Sequence, residues 1–152
     1  MSALHVLMTV AGTRYVVPAA SVLQMESYSE STPVPGAAPF VVGLVQIRGR
    51  VVPVVDLRSR FGLPPMEPTL DSRVVVVQLG ERTVGLLADS AREVVRIEPE
   101  DFKPPPEVVA GQGAGFVDAV AQIDKKLVLR LALARVVSDV RPEEDVHGEQ
   151  RL

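Results

Sequence analysis

The chain has 152 residues, 16 lysines and arginines against 19 aspartates and glutamates, a net charge of -3, and no cysteine. A domain of this size buries roughly 70% of its unfolded surface and needs no disulfide staple, and without cysteine there is no thiol nucleophile and no Cys-based metal site. The acidic balance, with 2 Tyr, 4 Phe and no Trp, argues against nucleic acid, which calls for a basic face and stacking aromatics.

The opening residues MSALHVLMTV carry no basic n-region or cleavage site, and no apolar run reaches the roughly 18 residues of a membrane helix. The expectation is a cytoplasmic chain with no direct membrane insertion and with protein partners. Leu4 to Val10 and Arg14 to Val17 are β-rich runs around Ala11-Gly12-Thr13 and read as a hairpin. Pro18 to Gln24 suits one short helical turn, proline in its first position, with Val22 and Leu23 facing in. Tyr28 to Val34 reads as a third strand, and Pro35-Gly36-Ala37-Ala38-Pro39 as a linker.

The stretch GLVQIRGRVVPVVDLRSRFG, Gly43 to Gly62, organises the rest. Val45 and Ile47 alternate with Gln46 and Arg48, so one strand face is apolar and the other presents an amide and a guanidinium to a partner. After the turn Arg48-Gly49-Arg50, the run Val51 to Val55 is apolar on both faces, as expected between its own core and a second packed layer, with Pro53 marking an edge or bulge. Asp56 suits a helix N-cap and Gly62 the stop.

Three prolines in Leu63 to Pro68 make that segment a crossover loop. Arg73 to Leu79 and Thr83 to Ala88 are strands around a tight Gly80-Glu81 turn. LMTVAGTRYVV (Leu7 to Val17) and VVVQLGERTVG (Val75 to Gly85) share the order strand, Gly-x-Arg turn, strand, which points to a duplicated unit. Glu93 to Ile97 adds a strand, Glu98 to Phe102 a helical turn, and Pro104-Pro105-Pro106 a stiff extended piece. A Gly-rich loop, Gly111 to Gly115, precedes strands Phe116 to Ile123 and Leu127 to Leu131, a C-terminal helix near Leu133 to Val137, and a charged tail. Many short strands at regular spacing predict a mainly β protein built of small barrels, most simply two in tandem.

Catalytic constellations are missing. His5 and His147 lie at opposite ends in unlike contexts, and His5 reads as a strand surface residue. No nucleophile elbow, Walker loop or H-E-x-x-H occurs. Gly111 to Gly115 resembles a phosphate cradle only in letters, because no suitable strand feeds it and no helix start follows. Asp56, Asp89, Asp118 and Asp124 sit at strand ends or turns, where capping chemistry explains them. An enzyme, a cofactor site or a metal site is therefore not expected. A small barrel carrying a ligand would need a deep apolar pocket with convergent polar groups.

Against these residues the sequence resembles the CheW family of chemotaxis coupling proteins from about Leu4 to Ser138. The resemblance is carried by Pro39-Phe40 and Gly43, Arg48-Gly49, Val52-Pro53-Val54-Val55-Asp56-Leu57-Arg58 with Phe61, Leu79-Gly80 with Gly85 and Asp89, then Pro104 and Pro106. It implies two intertwined five-stranded SH3-like barrels related by a pseudo-two-fold, with short helices and a C-terminal helix: one domain over 1–140, then a charged tail over 141–152. It further implies a scaffold without catalytic activity, metal or cofactor that joins the cytoplasmic tip of a methyl-accepting chemoreceptor to the regulatory domain of a CheA-type histidine kinase, in arrays close to the membrane. By position, Arg48 matches the receptor-binding arginine, and Gly43, Ala91 and Val94 line the same groove. Phe102, Lys103 and Val108 match the kinase-facing region, where the prolines stiffen the loop and reduce the entropy lost on docking. Gln24 stands where the family has a receptor-contacting glutamate, with Glu26 two residues on; either Gln24 serves without the charge, or the register shifts and Glu26 serves. A member of this kind can also bind one partner alone and modulate array assembly.

Overall fold

The computed structural model describes residues 3–106, 114–138 and 140. Its strands are β1 (Leu4–Val10), β2 (Thr13–Pro18), β3 (Val22–Ser27), β4 (Val41–Ile47), β5 (Arg50–Asp56), β6 (Arg73–Leu79), β7 (Arg82–Ala88), β8 (Ser90–Arg96), β9 (Val117–Ile123) and β10 (Lys126–Leu131). Two single-turn helices follow the last strand of each half, α1 (Leu57–Arg60) after β5 and α2 (Leu133–Val136) after β10.

The ten strands form two five-stranded sheets, ordered β8-β1-β2-β10-β9 (barrel 1) and β3-β6-β7-β5-β4 (barrel 2). An isolated antiparallel bridge ties the segment after each edge strand to the opposite edge, Lys103 to Val120 in barrel 1 and Thr32 to Leu44 in barrel 2. Each sheet takes a hairpin from one half of the chain and three strands from the other. This corrects the tandem arrangement: the halves exchange strands, and neither barrel is contiguous in sequence.

The suspected duplication holds residue by residue. Val10–Thr13 and Leu79–Arg82 flank equivalent hairpin turns, a shift of 69 positions, while Ile47–Arg50 and Ile123–Lys126 flank another equivalent pair, a shift of 76. Even the bulges match. The register slips between Val22 and Gln24 on β3 and at the equivalent Ala91 to Glu93 on β8, and again between Val41 and Gly43 on β4 and at Val117 to Ala119 on β9.

The duplication explains why β1 and β6 are apolar on both faces. Alternate residues point to opposite sides of a sheet, so Leu7 packs inside barrel 1 with Val16, Ile97, Ala121 and Val128, and Val74 and Val76 pack inside barrel 2 with Ile47, Val54 and Leu87. Their neighbours Val6, Met8 and Val10, with Val75 and Val77, meet between the barrels in one shared core that also takes in Phe61, Leu133 and Val136.

Three local expectations change. The helical turn shrinks to a 3-10 turn, Ala19–Ser21, and Val22 to Ser27 becomes a strand, because β6 offers this β-branched segment a pairing partner; Leu23 then points to solvent at 47% exposure. Of the strand expected over Tyr28 to Val34, only the Thr32 bridge forms. His5 is buried, at 5% exposure, because β1 is a central strand and His5 shares the inward face of Leu7. The Gly-rich loop up to Gly113 and the tail beyond 140 lie outside the described residues.

Candidate interaction surface

On β3 the side chains alternate: Leu23, Met25 and Ser27 are exposed, while Gln24 and Glu26 are half-buried on the other face. Gln24 Nε2 donates to Glu26 Oε2 at 2.5 Å, and Arg48 Nε lies 4.0 Å from that same oxygen. Strand β3 and the β4–β5 turn sit at opposite ends of the strand order, so barrel closure is what unites Gln24, Glu26 and Arg48. Arg48 occupies the turn rather than the strand, at φ 52° with Gly49 at φ 78°, the double positive-φ geometry of a type I′ hairpin. Its side chain is 77% exposed.

Gly43 is a requirement of the backbone. Its φ is 148°, and a Cβ there would lie 2.3 Å from the carbonyl oxygen of Thr32, inside the paired hydrogen bonds Thr32 N–H to Leu44 O and Leu44 N–H to Thr32 O. It is buried near the start of β4, away from the turn that carries Arg48. Ala91 is also buried, in the shared core, whereas Val94 is 55% exposed. Met25, the counterpart of Val94 under the shift of 69, is 39% exposed, on the face of β3 opposite Gln24 and Glu26. Sequence reading missed this strand by assigning its first residues, Val22 to Gln24, to a helical turn. The signal was the duplication: a strand recognised at Glu93 to Ile97 demands one near Gln24.

The Asp-Leu-Arg motif proves architectural. Asp56, 1% exposed, accepts from Arg58 N–H at 3.0 Å, Ser59 Oγ at 3.2 Å and Met66 N–H at 2.9 Å, capping α1 and pinning the proline loop. Arg58 donates to both oxygens of Asp89, at 3.0 and 2.6 Å, and Asp89 also accepts from Ala11 N–H at 2.8 Å. Those bonds tie barrel 2 to the first hairpin of barrel 1. The Arg58 hydrogen bonds, aided by Ala11, hold the Asp89 carboxyl below its ordinary range against the opposing pull of burial. Asp118 forms a cross-strand pair with Arg130 at 2.7 Å, and Asp124 takes a positive φ in its turn.

The second predicted cluster lies on barrel 1. Phe102 is half-buried and Lys103 exposed, on a segment bridged to β9 in both directions at 2.9 Å. Val108 lies outside the described residues. Two clefts among the described residues are open to solvent and mix polar with apolar lining. One, of about 400 Å³, is lined by Arg58, Glu67, Asp71 and Asp89, and another, of about 350 Å³, by Asp101, Lys103, Gln122 and Leu127. Among the described residues there is no group of three or more potential metal-ligating His, Asp or Glu side chains, and no helix long and apolar enough to cross a membrane.

Two interlocked barrels with a charged cluster where one of them closes define a double-barrel protein. The CheW-like domain model matches residues 5–141, and the chain belongs to that family. It is 28% identical over 123 residues to a probable chemotaxis protein CheW of Rhizobium etli, covering 81% of this chain and 79% of the relative. It is 27% identical over 139 residues to the chemotaxis protein CheW of Bacillus subtilis, covering 91% and 88%. The solved structure of the scaffolding protein TtCheW from Thermoanaerobacter tengcongensis superposes with a TM-score of 0.79 at 28% identity, over 88% of this chain and 86% of that one.

Proposed function

We propose that the chain is a non-enzymatic scaffold of chemotaxis-type signalling, a single domain over 1–140 that bridges the cytoplasmic tip of a chemoreceptor and the regulatory domain of a CheA-type histidine kinase in cytoplasmic, membrane-proximal arrays. The observation that carries this reading is the Gln24–Glu26–Arg48 cluster, assembled by closure of barrel 2 on a fold whose relatives are CheW proteins. Arg48 offers a planar fork suited to a carboxylate or to helix-end carbonyls. Glu26 retains one carboxylate oxygen outside the contacts to Gln24 and Arg48, so it supplies the acidic acceptor that Gln24 lacks. Val94, 55% exposed, adds apolar area, and Gly43 and Ala91, both buried, are read as supporting backbone rather than contacts. The kinase is assigned to the other barrel, through Phe102, Lys103 and Val108.

Calorimetry at moderate salt tests the bridge, with a receptor hairpin-tip fragment and a kinase regulatory domain as separate partners. Wild type is expected to bind both at micromolar protein, and Arg48→Asp to lose the receptor fragment while keeping the kinase. Binding of neither partner by wild type would overturn the reading; binding of the kinase alone would reduce it to a one-sided member.

A further inference from the structure

The buried histidine does not belong to the surface described above. His5 stands at the open end of the barrel 1 core, paired across β1 with Pro18 on β2 and Val95 on β8. Its Nδ1 lies 3.0 Å from the carbonyl oxygen of Ala3, so that nitrogen carries the proton and donates. Among the described residues no hydrogen-bond partner is recorded for Nε2. The Phe102 ring packs on His5, tilted by 57° with centroids 5.3 Å apart, and the Arg130 guanidinium, held by Asp118, lies over the Phe102 ring at 4.5 Å from its centre. Phe102 therefore closes the barrel as a lid, fastened next door by the Lys103–Val120 bridge.

We propose that His5 is a proton-operated latch: neutral, it seats Phe102 and keeps the Phe102–Lys103 segment closed on barrel 1; protonated, it releases that segment. Protonation creates a second N–H donor with no partner in a buried place and puts a cation near Arg130, and both are costly where water is excluded. Among the described residues, the charged groups around it offer no relief. Arg130 is the one acting on His5 directly, and it repels. Asp118 is committed to Arg130, and Glu98 pairs with Arg96. Asp101, Lys103 and Glu93 are exposed, and β2 contributes only Pro18 opposite the ring. In agreement, burial pushes the His5 imidazole below its ordinary value, with Arg130 adding to the shift and the Ala3 bond opposing it.

A lowered imidazole means the unfolded or opened chain binds more protons than the closed one. Closure is therefore fullest above about pH 6.5 and weakens as pH falls below it. On the proposed function the released segment is the kinase-facing one, and that consequence rests on that reading; the latch itself is tested without any partner.

The experiment is amide hydrogen exchange at Lys103 and Val120, read by NMR on the intact chain at about pH 7.5 and about pH 5.5 and corrected for intrinsic rates. Lys103 and Val120 are expected to lose protection severalfold at the lower pH, with about tenfold as the ceiling for one imidazole, while Val75 and Val77 in the shared core hold theirs. In His5→Gln, which keeps a donor for the Ala3 carbonyl but does not titrate, the pH response at Lys103 and Val120 is expected to vanish. Should that variant fold poorly, the His5 ring resonance of wild type must titrate with a midpoint below its ordinary value, and protection at Lys103 and Val120 must already be falling above that midpoint. Unchanged protection in wild type, a response that survives in His5→Gln, or a His5 ring that titrates at or above its ordinary value would each overturn the latch.

Discussion

At the scale of single residues, Arg48 is the position where conformation and recognition conflict. Holding a non-glycine residue at φ 52° costs about 1 kcal/mol, and Asn-Gly is the preferred pair for this turn. Arg48→Asn should therefore raise unfolding stability by about 0.5–1 kcal/mol in urea titration while losing the receptor fragment in calorimetry. If stability falls instead, the arginine is there for the fold and not for a partner. Gly43 behaves oppositely. Gly43→Ala drives a Cβ into the Thr32 carbonyl, and a cost of about 3 kcal/mol or more is expected by the same titration, with Arg48 displaced as barrel 2 opens. Asp89, whose carboxyl is held low by Arg58 and Ala11, contributes stability that is present above the ordinary carboxylate range near 3.9 and is lost as pH falls through its lower folded value. Asp89→Asn should flatten the acid limb of a melting temperature against pH plot.

Among the elements, the short helix α2 depends on arginines from barrel 2 for its C-terminal carbonyls. Arg60 donates to Val136 O and Arg135 O at 2.9 and 3.0 Å and lies over the Phe40 and Phe116 rings, while Arg82 donates to Val137 O at 2.8 Å and to Val140 O. A four-residue helix has no stability of its own, so Arg82→Ala should cost about 1.5–3 kcal/mol and speed amide exchange at Val136 and Val137 first. Those contacts were invisible in the sequence, since each arginine acts more than fifty residues away. What was legible was periodic or local: the Asp56 cap, the hairpin turns, and the β6 run of valines. What was not legible was set by partners distant in sequence. Val22 to Gln24 reads as the end of a helical turn until β6 pairs with β3, and His5 reads as a surface residue until β1 is known to be a central strand. For the candidate site, alternation around Val45 to Arg48 pointed to a polar signal at Arg48, but its meeting with Glu26 required the barrel to close.

For the whole molecule, exchange of strands between halves makes each barrel depend on both. Cutting after Pro68 separates β1–β5 from β6–β10, and each fragment then holds two strands of one sheet and three of the other. Duplication raises the possibility of two first halves completing one another, and Gly85 argues against it. In the intact chain β7 lies parallel to β5 with Gly85 opposite Val54, and a Cβ on Gly85 would come 2.6 Å from Val74 Cγ1 and 3.3 Å from Val54 Cγ2. The first-half counterpart of Gly85 is Val16, which in barrel 1 sits beside Arg130, the counterpart of Val54. In a homodimer of first halves Val16 would have to share with Val54 the slot that glycine leaves open, an overpacking worth about 1–3 kcal/mol at each of two sites. The expected outcome is that fragments 1–68 and 69–152 are each unfolded, and that only their equimolar mixture gives a dispersed amide spectrum and the mass of the intact chain by light scattering. A folded homodimer of fragment 1–68 would show that the Val16 and Gly85 positions are interchangeable, and that pairing of unlike halves is not enforced by packing.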